Sequence, residues 1–305
     1  MSKLMCMTKR NFLVFIRDRS SVFFALLSTM IVLLLMGIFL GNMNVETITD
    51  LLTQYGGAAR DTALDKQNAS ELVQYWTLAG ILIVNAVSVT LSAISVMVDD
   101  SGNNRIESFY SSPIKRPVIA LSYIFSAIII GTLFDMVTLL IGEVYIWANG
   151  GQLLSLVANC EVLVFIVLNV AMYSIIMYMI AMLAKTSGAW GGIGTVFGTL
   201  VGFVGAIYFP IGSLPRSVGR VLKCLPVLHG TSILRKICCA DVIDRTFSGM
   251  PSEFISEYNK HMGINVVVNS KILSSSFQIG FLITYAVIAL LIAILITVKK
   301  NVNDR

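Results

Sequence analysis

The chain has 305 residues, 56% of them hydrophobic and only 13% charged, with a formal net charge of +5 and a mean hydropathy of +0.82. A soluble domain of this length cannot hide so much apolar surface, and several charge-poor runs reach the roughly 20 residues that a helix needs to cross hydrocarbon. The composition therefore excludes a soluble enzyme, implies the lipid bilayer as a partner, and gives no reason to expect a nucleic acid.

The expected fold is an all-α membrane domain filling 1–305, with six transmembrane helices. Residues 1–21 carry Lys3, Lys9, Arg10, Arg17 and Arg19 interleaved with Leu4, Met5, Phe12, Phe15 and Ile16, which suits an interfacial helix rather than a cleavable leader. The first span, Val22 to Leu40, is apolar enough to favour insertion by roughly 4 to 8 kcal/mol at most, and is expected to act as the insertion signal. Further spans are predicted at Tyr75 to Val98, Val118 to Trp147, Ser155 to Leu183, Ile193 to Phe209 and Phe277 to Val298. A polar loop, 99–117, joins the second and third. Its centre is helix-sized, and Pro113 and Pro117 mark where one helix stops and the next span starts.

Six spans put both termini on one side, and the Lys/Arg distribution assigns that side. Five basic residues before the first span, Arg105, Lys115 and Arg116, Lys185, and Lys299, Lys300 and Arg305 make twelve on the terminal side. Arg60 and Lys66 stand opposite in the first loop, and eight more lie in 210–276. That last segment exceeds the length of about 60 residues beyond which loop charge stops setting topology, so both termini are expected to be cytoplasmic. The five cysteines, Cys6, Cys160, Cys224, Cys238 and Cys239, show no C-x-x-C spacing, so they indicate neither a metal site nor a disulfide framework.

Four features in order resemble the permeases of the ABC-2 type, the membrane subunits of ATP-binding-cassette exporters. They are RNFLVFIRDRSS ahead of the first span, the Gly102 to Arg116 loop with Glu107 and SSPIKRP, FPIGSLP closing the fifth span, and LPVLHGTSILRK after it. The resemblance implies that the loop between spans two and three holds a coupling helix seated on the ATPase, here Asn104 to Ser112, with Arg105, Ile106, Glu107, Phe109, Tyr110 and Pro113 as its contact residues. It also implies that 210–276 supplies short re-entrant helices closing the external end of the pathway. The gate residues would be Pro210, Pro215, Pro226, His229 and Arg235. His229 stands where the family often has an aromatic residue, which marks it as a packing group. The partners so implied are an ATPase subunit carrying ATP and Mg, and a second permease chain, identical or related, in the cell membrane. This chain itself has no G-x-x-x-x-G-K-[ST] loop, so no cofactor is expected in it and no enzymatic activity of its own.

Within the membrane, Gly194, Gly198 and Gly202 repeat every four residues along the fifth span, with Ala206 next in the series. That is a small-residue face for close helix packing, compatible with lining a pathway. Asp135 falls about 17 residues, or roughly 26 Å, into the third span, where an acidic group costs about 2.5 to 3.5 kcal/mol on insertion scales. It reads equally as a structural hydrogen-bonding group or as part of a cavity wall. Glu143 and Glu161 read as solvated near the interface. The charges Arg216, Arg220, Lys223, Arg235 and Lys236 read as groups that attract an anionic substrate or snorkel to headgroup phosphates. The competing functions are a proton-coupled secondary transporter using Asp135 and a non-transporting assembly subunit. Against a membrane enzyme, the two histidines, His229 and His261, both lie in the segment before the last span, and no H-E-x-x-H or G-x-S-x-G occurs.

Overall fold

A computed structural model describes residues 2–35, 41–55, 60–184 and 186–303. Helix α1, Lys3–Arg17, is capped by Ser2, whose hydroxyl accepts from the Met5 amide at 3.3 Å. Its inner stripe of Met7, Asn11 and Phe15 recurs at helical spacing and is buried. Asp18 ends α1 and accepts from the Ser20 amide and the Ser21 hydroxyl, so it also opens α2, Arg19–Leu35. Those hydrogen bonds, the Ser21 hydroxyl first, hold the Asp18 carboxyl below its ordinary pKa. The first expected span, Val22 to Leu40, overlaps α2 up to Leu35, and 36–40 lie outside the described residues.

Helix α3, Gly41–Tyr55, occupies a stretch read from sequence as loop. Ile48 and Leu52, one turn apart, are buried against α4, Thr62–Gly102. At 41 residues α4 measures about 61 Å, roughly twice the hydrocarbon thickness, so it projects beyond it. It begins 13 residues before the predicted start at Tyr75. The hydrocarbon-sized window gave no sign of this, because 62–74 is polar and is held in the helix by neighbours beyond the apolar layer. Helix α4 is the hub of the fold, packing on α6 (Arg116–Ala148), α7 (Leu156–Ala181), α8 (Ser187–Val204) and α10 (Pro226–Thr246), with the short α5 (Arg105–Tyr110) joined to its end.

Among the described residues, α4, α6, α7, α8 and α12 (Ser275–Asn303) are long and apolar enough to cross a membrane. Helix α8 ends five residues before the predicted Phe209. There the chain reverses through Ala206, which has φ of 51°, and the Ile207 amide reaches back to the Gly202 carbonyl at 2.9 Å. The segment 210–276, where short re-entrant helices are expected, contains a 3₁₀ turn (Ile211–Ser213), α9 (Arg216–Leu222), the longer α10, α11 (Ser252–His261) and a two-stranded hairpin, β1 Val267–Val268 with β2 Lys271–Ile272. The hairpin departs from an all-helical expectation. Asn269 and Ser270, both with positive φ, form its tight turn. Lys185 and Arg305 lie outside the described residues, as do the side chains of Lys299 and Lys300.

Candidate functional site

At one end of the bundle, α5 is built by punctuation. Asn103 folds its amide onto the Asp99 carbonyl to end α4, Asn104 turns the chain in the left-handed region (φ 57°), and Pro117 lies in the first turn of α6. The resulting helix is two-faced. Ile106 and Phe109 are partly buried, while Arg105, Glu107 and Tyr110 are exposed, and Pro113 is an exposed residue of the following turn.

Asp100, at the end of α4, ties this corner together. Its carboxylate takes a forked pair from Arg10 of α1, with Nη2 at 2.8 Å from Oδ1 and Nη1 on Oδ2. The Tyr123 hydroxyl of α6 donates to Oδ2 at 2.7 Å, and Arg105 of α5 stands 3.7 Å from Oδ1. The Asp100 side chain is 2% exposed. One buried carboxylate thus joins four helices, in a geometry far stronger than a surface ion pair. The hydrogen bond to Asp100 raises the Arg10 pKa against the opposing effect of burial. Arg10 also lies 5.3 Å over the Phe109 ring, Lys3 Nζ donates to the Pro113 carbonyl at 2.6 Å, and Asn11 donates to Ser122 at 3.1 Å. Asp99 accepts from Ser187 at the start of α8. Helix α1 is therefore fastened along α6. Phe15, expected at the lipid interface, is buried 6.1 Å from the Phe134 ring.

Arg235 dominates the opposite end. The anionic-substrate and snorkelling readings of this residue are both overturned, because it is fully buried. Its Nη2 donates to the Ala206 carbonyl at 2.9 Å, Nη1 to Met262 at 3.2 Å and Nε to Trp76 at 3.4 Å, and its guanidinium lies 3.8 Å over the Trp76 ring. The carbonyl of Ala206, in the left-handed turn after α8, supplies one of these acceptors. Trp76 Nε1 donates to Met262 O at 2.8 Å, locking α4 to the end of α11. Around this pin, Arg245 pairs with Glu71 at 2.7 Å, and Arg60 bridges Asp65 and the carbonyls of Thr246 and Ser248 at 2.8 Å. Asp65 raises the Arg60 pKa through its hydrogen bonds. Glu143 is likewise not solvated: it is buried and accepts from Leu154 N and Asn159 Nδ2. Glu161 is exposed.

Pro210 precedes the 3₁₀ turn, Pro215 precedes α9 and Pro226 starts α10. His229, buried, has Nε2 2.8 Å from the Lys223 carbonyl and its ring 4.4 Å from Phe281 of α12. The first turns of α10 lie deep among the spans. A Cβ on Gly230 would meet Ile83 at 3.1 Å and clash with Asn169, at midlength of α7.

The glycine stripe of α8 meets a helix of this chain at one end, where Gly194 approaches α4, and loses that contact further along. A Cβ on Gly194 would meet Leu91 at 3.3 Å and one on Gly198 would meet nothing within 4 Å, while Gly202 makes room for the ring of Tyr208. The neighbouring α8 face, with Phe197 and Val201, instead walls an apolar cavity of about 390 Å³ shared with Tyr173 of α7 and Tyr285 of α12. Asp135 lies outside that cavity. It is fully buried on α6, with neither carboxylate oxygen holding a well-placed donor, although Asn85, which donates to Thr138 at 2.7 Å, lies close enough to act on it.

Cys238 and Cys239 are buried, and all five cysteines are free thiols. Sequence reading missed Arg10, Asp100, Tyr123 and Trp76. The adjacent acids Asp99 and Asp100 closing an apolar run were the one available signal, since an acidic pair at a span end needs cations nearby.

The profile of the ABC-2 type transporter family matches residues 2–238. The chain belongs to this family. It is thus a membrane-embedded transport component of the ABC-2 type, a kind of subunit generally not itself catalytic, and membership implies association with an ATP-binding partner. None of the curated proteins matches the chain. The match runs from α1 through the Asp100 corner, the spans up to α8 and the first half of α10, so it takes in the whole Asp100 corner and Arg235 itself, while Arg245, Thr246 and Met262 at the opposite end fall beyond it. Beyond residue 238 lie the rest of α10, α11, the hairpin and α12.

Proposed function

We propose that this chain is the permease subunit of an ATP-driven exporter, powered by a separate ATPase that binds ATP and Mg. The observation that carries the reading is the Asp100 corner. Helix α5 presents Arg105, Glu107 and Tyr110 outward while α1, α4 and α6 hold it from behind, so a push on α5 moves three long elements as one body. In this reading α5 is the coupling helix and its end of the bundle is cytoplasmic, with both termini there and the chain resident in the plasma membrane. The reading keeps six spans, the first of them over Val22 to Leu40 as expected from the sequence.

A second permease chain, identical or related, completes the pathway. Helix α8 supports this, since its apolar surface is largely exposed and Gly198 has open space before it. The N-terminal turns of α10, seated against mid-membrane residues Ile83 and Asn169, support a re-entrant gate whose freed backbone groups are satisfied by protein, with Arg235 taking up carbonyls. Closure of the ATPase pair would press α5, rotate each bundle and open the gate at Pro210 to Pro226.

The test is to purify the tagged chain from native membranes in mild detergent, identify co-purifying proteins by mass spectrometry and assay ATP hydrolysis. A stoichiometric ATPase carrying a G-x-x-x-x-G-K-[ST] loop is expected. Its consistent absence, with transport abolished by collapse of the proton gradient, would replace this reading with a proton-driven one.

A further inference from the structure

Arg216 and Arg220 of α9 and Lys223, which caps its C-terminus in helical conformation, recur at i, i+4 and i+7 and so share one helix face. That face opens into a cavity of about 620 Å³ whose opposite wall is Lys260, Asn265 and the start of the hairpin. None of the three α9 cations makes an ion pair among the described residues, and no carboxylate lines the cavity. Lys260 pairs with Glu257 at 3.1 Å, and Glu257 is itself 77% exposed on the outer side of α11. Three cations without an ion pair, with Lys260 across from them, repel one another and raise the local potential for anions.

The floor of the cavity is apolar, formed by Ile211, Leu214 and Val266. Next to the cations on α9, Val218 and Val221 are exposed, as is Phe209 just upstream. An anion site fringed by exposed aliphatic groups at the end of a transmembrane bundle matches a molecule with a charged head and an apolar tail, and a soluble anion makes no use of those groups.

We propose that this cavity binds the phosphate headgroup of a membrane phospholipid, with Arg216, Arg220 and Lys223 as its direct ligands. The phosphate seats between α9 and the α11–hairpin wall, and the glycerol rests on Ile211 and Leu214. Occupancy offsets part of the positive charge on α9, the short helix between Pro215 and Pro226, so the lipid holds this part of the chain at the membrane surface. The inference rests on the exporter reading only for calling this leaflet the outer one.

The experiment uses the full chain in phosphate-free detergent. Binding of short-chain phosphatidylglycerol, of the matching diacylglycerol and of inorganic phosphate is measured by calorimetry and native mass spectrometry. The variants are R216Q/R220Q/K223Q, R220Q alone, R216K/R220K and, outside the cavity, K271Q. We expect phosphatidylglycerol to bind at least tenfold more tightly than diacylglycerol or inorganic phosphate, with affinity falling as salt rises. The triple variant should lose at least tenfold and R220Q severalfold at unchanged thermal stability, whereas R216K/R220K should retain most binding and K271Q all of it. Equal binding of inorganic phosphate and lipid, both abolished in the triple variant, would overturn the lipid assignment in favour of a soluble anion. Undiminished lipid binding in the triple variant or in R220Q would overturn the site itself. No ATPase is present in this assay, so its failure is separate from failure of the exporter reading.

Discussion

Arg235 of α10 stacks its guanidinium 3.8 Å above the ring of Trp76 of α4, and the two side chains share the Met262 carbonyl as acceptor. A buried cation with no carboxylate beside it persists here because three carbonyls and an aromatic face replace its hydration. The planar fork reaches the ends of α8 and α11 and the side of α4 at once, which a lysine ammonium cannot do.

Replacing Arg235 by Lys or Met should therefore destabilise the protein by about 3 kcal/mol, the scale of leaving two or three buried carbonyls unsatisfied. Thermal unfolding in a background without the exposed Cys6, Cys160 and Cys224, followed by a thiol-reactive dye, gives the readout, since the buried Cys238 and Cys239 then report opening of α10. Unchanged unfolding in both variants would show that the pin contributes nothing.

Asp100→Asn keeps the shape of the corner but removes the charge that Arg10 and Arg105 face. The protein should still insert and bind its ATPase, while ATP hydrolysis and transport become uncoupled. Transport per ATP should fall at least severalfold. Arg10→Lys, which loses the fork but keeps the charge, should give an intermediate effect.

The exposed groups of α5 test the contact face separately. Changing Arg105 and Glu107 together to Ala should lower transport and weaken ATPase co-purification with little change in thermal stability, because both are exposed and Arg105 adds only a 3.7 Å contact to an Asp100 already held by Arg10 and Tyr123. Full transport by a well-expressed double variant would remove these residues from the interface.

The glycines of α8 separate the packing of one chain from that between two. Gly202→Leu drives a side chain into the Tyr208 ring and should destabilise the monomer. Gly198→Leu meets nothing within 4 Å in this chain, so it should leave monomer stability unchanged or raised while reducing association with a second chain, measured by light scattering.

Asp135→Asn discriminates between energy sources. If ATP drives transport, the variant should keep most of its activity, since the residue lies outside the α7–α8–α12 cavity and an amide fits the same space. Transport lost with ATPase activity intact, together with loss of sensitivity to the proton gradient, would favour the proton-driven alternative.

Composition and hydropathy were sufficient for the membrane class and for the cores of α4, α6, α7, α8 and α12, and Pro113 and Pro117 marked a helix-sized centre in the 99–117 loop where α5 lies, because helix formation in an apolar run and its interruption by Pro are local events. The amphipathic spacing of Val45, Ile48 and Leu52 is a local signal for α3. Other features were beyond any local reading. Arg10 and Asp100 stand 90 positions apart, and Arg235 and Trp76 stand 159 apart. Before folding, Arg235 cannot be distinguished from its neighbour Lys236, nor Gly198 from Gly202. Which charge is buried, which glycine has open space before it and how far α4 extends past the hydrocarbon were decided by tertiary packing alone, since only the packed helices bring distant polar groups close enough to satisfy one another away from water.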